Sequence, residues 1–166
     1  MILGMAASTY TFLHVFISLI GIASGIVVLY GMLVGKRLDG LTGLFLITTV
    51  LTSVSGYGFP VEHLLPSHIV GIISLVALTI AIVARYVQHM SGAWRAIYVI
   101  SASMALYLNV FVLVVQSFRK VPSLTALAPT QKEPPFLIAQ LTVLVLFIVL
   151  TVLATKRFHP DVVRPV

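Results

Sequence analysis

Between Thr11 and Val34 the chain stays apolar for longer than the roughly 20 helical residues that a bilayer's hydrocarbon core requires, and four further apolar runs follow. The pattern predicts helices over about 11–34, 41–57, 67–87, 94–118 and 136–155. The fourth run stands apart. Its residues Tyr98, Ser101, Ala105, Asn109, Val112 and Gln116 recur every three or four positions, so they share one helical stripe while leucines and valines fill the rest. An amide in hydrocarbon has no water to bond, so Asn109 must face protein, and the stripe predicts the helix on which the others pack.

The remaining runs carry fewer marks. In the first, His14, Ser18, Gly21 and Gly25 follow at offsets of four, three and four. The pairs Gly21/Gly25 and Gly31/Gly35 have the small-xxx-small spacing that lets two helix backbones approach closely. The second run holds Thr42, Thr48, Thr49, Thr52, Ser53 and Ser55, hydroxyls expected to bond back to the carbonyl one turn earlier. The third opens on His68 and carries Gly71 and Ser74, and Gln140 lies early in the fifth. Short connectors occupy 35–40, 60–66 with Glu62 and His63, and the polar link 85–95 with His89. The longest connector, 119–135, holds four of the eight prolines and is expected to face a partner. It predicts a short helical turn from Pro122, with Leu124 and Leu127 lying on the membrane surface.

Composition agrees with the pattern. The 166 residues are 60% hydrophobic and only 8% charged, against about a quarter charged in soluble domains. With a mean hydropathy of +1.14, the chain reads as one all-α, polytopic membrane helical bundle of five transmembrane helices. The net charge of +6 sits in connectors, without the basic stripe and interleaved aromatics of a nucleic-acid binder. No cysteine is present, which excludes disulfides, thiolate metal sites, iron–sulfur clusters, cysteine nucleophiles and c-type haem. The opening MILGMAASTY lacks a cationic n-region, so the first run is expected to be a retained helix and not a signal peptide.

Five crossings put the termini on opposite sides. With the N-terminus outside, the inner connectors hold Lys36, Arg37, Arg85, Arg95, Lys156, Arg157 and Arg164, and the outer ones Arg119, Lys120 and Lys132, which favours an N-out/C-in arrangement. At about 1.5 Å per residue, His14 and Gln140 then lie roughly one helical turn below the outer boundary. His68 and Gln116 fall at that boundary and Asn109 deeper, so an outer polar zone is expected above an apolar base, with His14 and Gln140 meeting the stripe amides.

Three chemistries compete with plain packing for these residues. His14 and His68, on different helices at one level, could be the two axial ligands of a b-type haem, with Gly21 and Gly71 making room for the macrocycle. His14, Glu62, His63 and His68 could supply nitrogen and oxygen ligands to copper or zinc. Tyr107, Phe111, Asn109 and His14 could line a quinone pocket. The ordinary account is interfacial histidines bonded to headgroups or loop carbonyls and an Asn109 amide spent on an interhelical hydrogen bond. The acids Asp39, Glu62, Glu133 and Asp161 all fall in connectors or the tail, which leaves proton-coupled transport without a carrier. No phosphate-binding loop or nucleophile with a base is visible.

The segments KRLDG, after the first run, and FRKVPSLTALAPTQKEPPF, before the last, resemble uncharacterised small multi-pass bacterial inner-membrane proteins. That resemblance implies the bacterial cytoplasmic membrane. The span from His14 to Tyr107 is faintly similar to a small cytochrome b561-like membrane family, although this chain has Asp39-Gly40-Leu41-Thr42-Gly43 where that family opens its second helix with His-Arg. The function expected is an accessory or structural subunit among other membrane subunits, in a respiratory or other electron-transfer complex. The alternatives are a b-type haem or quinone-binding electron-transfer protein and a small solute transporter.

Overall fold

The computed structural model describes residue 4, residues 6–59 and residues 66–159. All regular structure among them is helical: α1 (Ala7–Leu33), α2 (Asp39–Gly56), α3 (Pro66–Ile82), α4 (Ala93–Lys120), α5 (Pro122–Leu127) and α6 (Pro134–Arg157). A π-helical turn, Val83–Val87, prolongs α3. Five of these helices, counting α3 with its π turn, are long and apolar enough to cross a membrane. The expected helix over 67–87 therefore runs to its predicted end, but its last turn is wound differently. The short helix expected from Pro122 is α5, on which Leu127 is exposed.

The connector between α1 and α2 is a turn that the sequence dictates. Gly35 adopts φ +70°, a conformation closed to most side chains. It lets the Lys36 N–H reach the Gly31 carbonyl at 2.8 Å and its own N–H reach Met32 at 3.3 Å, a Schellman closure. Leu38 folds back over Gly31, where an added methyl would stand 2.7 Å from Leu38 Cδ1. Gly31 and Gly35 thus serve the turn, contrary to the helix-packing role that their spacing suggested. Gly21 and Gly25 do serve packing: a methyl at Gly21 would meet the Thr48 and Thr49 hydroxyls at 3.1 Å each, and one at Gly25 would stand 2.6 Å from Leu106 Cδ1.

Helix α1 lies along α2 and α3 along α4, with α4 central, touching α1, α2 and α6 as well. The core gathers around α4: Val99, Ala102, Ala105 and Leu106 pack with Val28, Leu29 and Met32 of α1, Phe45 and Leu46 of α2, Ala77, Leu78 and Ala81 of α3, and Phe147 of α6. All of these lie in the half of the bundle near the α1–α2 turn. In the opposite half, α4 from Val110 to Ser117 is less completely covered, so the helices are tightly packed at one end and looser at the other. Helix α6 buries only Gln140, Phe147 and Ala154 and presents the rest of its surface outward.

Candidate functional site

At the looser end, residues from three helices meet. Tyr10 donates its hydroxyl to the Ser55 carbonyl at 2.7 Å, and His14 Nδ1 lies 2.8 Å from Ser55 Oγ. The Ser55 hydroxyl also lies 3.2 Å from the Thr52 carbonyl, so one side chain links His14 to the backbone of α2. Phe59 sets its ring edge-on to both Tyr10 and His14, with centroids 5.1 and 5.2 Å apart. His68 is buried, stacks on Tyr57 at 5.4 Å and accepts the Tyr57 hydroxyl on its backbone carbonyl at 2.8 Å.

Both histidines therefore lie at one end of the bundle, as expected, each against a different part of α2 and the segment after it. The glycines expected to make room for a haem are covered by protein: Gly21 by Thr48, Thr49 and Asn109, and Gly71 by the Tyr57 phenol, whose oxygen would stand 2.9 Å from an added methyl. The room expected from Gly21 and Gly71 for a macrocycle is therefore taken up by side chains of the protein itself. Of the expected metal ligands, Glu62 and His63 lie outside the described residues. Among those described, no three His, Asp or Glu side chains converge as metal ligands.

One turn deeper, Ser18 donates to Asn109 Oδ1 at 3.0 Å, joining α1 to α4. The expected meeting of His14 with this amide does not occur, because Ser18 follows His14 by four residues on the same face and stands at the depth of Asn109. The amide's Nδ2 points toward Gly21 and is buried without a hydrogen-bond partner. Gln140 of α6 donates to the Phe111 carbonyl at 3.3 Å, bonding the backbone of α4 in place of a stripe amide, and its Oε1 is left unbonded. Gln116 is half-buried beyond this seam. Thr42, Thr48, Thr49 and Thr52 all bond back to the carbonyl four residues earlier, as their positions predicted. Asn109→Leu and Ser18→Ala are each expected to destabilise by about 0.6–1.7 kcal/mol, the range for interhelical hydrogen bonds in membranes. A double-mutant cycle in detergent should show that the two losses do not add; full additivity would mean that the bond contributes nothing.

The tight end holds what the sequence hid. Arg85, expected in a polar link, is 3% exposed. Its guanidinium lies 5.2 Å from the Tyr98 ring centroid and 5.6 Å from that of Tyr86, with Met90 Sδ 3.9 Å from Nη1. Nη2 is bonded to Asp39 Oδ1, which also accepts Arg37 Nε at 2.7 Å. The apolar base therefore contains a buried cation. A sequence signal existed: Ser74, Leu78, Ala81 and Arg85 continue one buried stripe at helical spacing. Beside it, Arg95 Nη1 donates to the Thr155 and Phe158 carbonyls at 2.9 and 2.5 Å, capping the end of α6.

In the long connector, Glu133 accepts the Thr130 hydroxyl at 2.7 Å and the Lys132 N–H at 3.0 Å. The Thr130 bond is the main cause that holds its carboxyl below the ordinary glutamate range. Thr125 returns to the Phe118 carbonyl, and Gln131 reaches the Val115 carbonyl at 2.9 Å, so the connector is folded back onto the end of α4. No family model, no curated protein and no solved structure matches the chain.

Proposed function

We propose that this protein is an accessory, structural subunit of a larger complex in a bacterial cytoplasmic membrane, arranged N-out/C-in. The observation that carries this reading is how the interior polar side chains are used: they tie helix to helix along successive seams. His14 and Tyr10 bond α1 to α2, Ser18 bonds α1 to α4, Ser53 and Ser74 bond α2 to α3 at 3.1 Å, and Gln140 and Arg95 bond α6 to α4. Such ties make a stiff scaffold whose apolar exterior, above all that of α6, is free for lipid or neighbouring subunits. The assembly proposed is a respiratory or other electron-transfer complex, a setting suited to the small soluble fraction, the small-residue packing faces and the long connector 119–135.

The test is to extract the tagged chain from its own membranes in a mild detergent and record both its migration and its visible spectrum. A colourless protein that travels with a larger assembly is the expected result. A Soret band that disappears in His14→Ala would overturn the reading in favour of a haem carrier. Migration as an isolated chain with no co-purifying subunit would equally overturn it.

A further inference from the structure

Three features meet at the tight end of the bundle, and packing requires none of them. The first is the π turn at Val83–Val87, closed by the Gln88 N–H on the Val83 carbonyl at 2.9 Å. It ends α3 with bonds of i→i+5 reach in place of the i→i+4 bonds of the helix before it. The second is the loop behind it, where His89, Met90 and Gly92 all have positive φ, of 50°, 55° and 51°. Two of these are not glycine, so the loop stores backbone strain. Its result is that Met90 returns beneath Arg85, with its N–H on the Ala84 carbonyl at 2.9 Å. The third is the unequal burial of the ion pair: the Arg85 side chain is 2% exposed and that of Asp39 is 64% exposed.

A buried guanidinium whose carboxylate is wet is tied from the water side. Asp39 is the first residue of α2, and Arg85 sits in the turn that ends α3, so this pair joins two helices at their tips. Its removal would leave the cation desolvated with only two aromatic faces and a thioether for company. Burying an unpaired charge is costly, and the cheapest relief is for the arginine to leave. The π turn supplies the route. Its bonds run i→i+5, so relaxing it to α geometry rotates Arg85, in its middle, by a part of the roughly 100° that builds up over the whole turn, and carries it away from α2.

We propose that Asp39 and Arg85 form a latch, with the π turn as its hinge, that closes this end of the bundle against water. With the latch closed, Arg85 covers the interior beside Tyr98 and Thr42, both of which are fully buried. With it open, water enters between the tips of α2 and α3 while the rest of the core stays packed.

The chain has no cysteine, so a single introduced thiol reports on one position. Thr42→Cys, one turn into α2 from Asp39, is the reporter for the latch; Ser103→Cys, buried midway along α4, is the reporter for general loosening. Each is placed in the full chain, and open membrane fragments are treated with a water-soluble, membrane-impermeant maleimide. Labelling at 42 is expected to be slow with the pair intact, to rise at least about tenfold in either Asp39→Asn or Arg85→Gln, and to return toward the slow rate when Asp39→Arg is combined with Arg85→Asp. Labelling at 103 should stay slow throughout. Unchanged labelling at 42 in both single variants overturns the latch, and so does failure of the exchanged pair to restore slow labelling. A parallel rise at 42 and 103 also overturns it, because the pair would then merely hold the fold together. The conservative Asp39→Glu, which keeps the charge, should label slowly at both positions.

Discussion

Gly25→Ala is expected to destabilise the detergent-purified protein by about 1–3 kcal/mol, the usual cost of forcing an extra carbon into a filled core. The new methyl would lie 2.6 Å from Leu106 Cδ1 and 2.8 and 2.9 Å from Phe45 Cδ2 and Cε2, and both neighbours are 1% exposed. Leu106 can swing its branch end, but the Phe45 ring has little room to give. Gly25→Val should cost more. Combining Gly25→Ala with Leu106→Val removes one of the clashing atoms and should recover part of the loss in thermal unfolding. If the pair is no more stable than the single variant, α1 and α4 are not in the close contact described.

Arg95→Ala carries the other large effect, and it falls on α6 alone. Hydrogen bonds to a charged donor contribute about 1.5–3 kcal/mol each, and Arg95 makes two, to carbonyls at the end of a helix with few other buried residues. A loss of about 3 kcal/mol in the docking of α6 is expected, seen as faster hydrogen exchange in its last two turns while α1–α4 keep their protection. Arg95→Lys should lie between, because an ammonium keeps the charge and several donors but sits on a shorter stem that stops short of the position of Nη1. Equal exchange in all three proteins would show that α6 is held by its apolar contacts.

The five apolar helices and the central position of α4 were legible because both depend on hydropathy and helical period, which are local properties. Tyr98, Ser101, Ala105 and Asn109 are all buried, as their stripe predicted. Partner choice was less legible. Asn109 pairs with Ser18 and not with His14, since depth along two tilted helices is not fixed by residue counting to within a turn. The Gly31/Gly35 pair shows the same limit: spacing alone does not separate a helix contact from a Schellman turn four residues later. Arg85 looks like a connector residue in the sequence because a cation usually ends a membrane run. Its place on the stripe of Ser74, Leu78 and Ala81 carried the better information, and the π turn that keeps it there leaves no mark in composition.

The engagement of arginines at the tight end bears on how the chain takes up its orientation. Arg37, Arg85 and Arg95 are each bonded within the fold. Among the described residues that end carries Lys36, Arg37, Arg85, Arg95, Lys156 and Arg157 against the single carboxylate of Asp39, and the other end Arg119, Lys120 and Lys132 against Glu133. The folded protein thus keeps the lopsided charge of its sequence, although Arg85 no longer faces water. Arg85 meets water freely only before α2 packs on α3, so any share it takes in an electrostatic choice of sidedness belongs to the nascent chain, whereas Arg37 stays exposed in the finished fold.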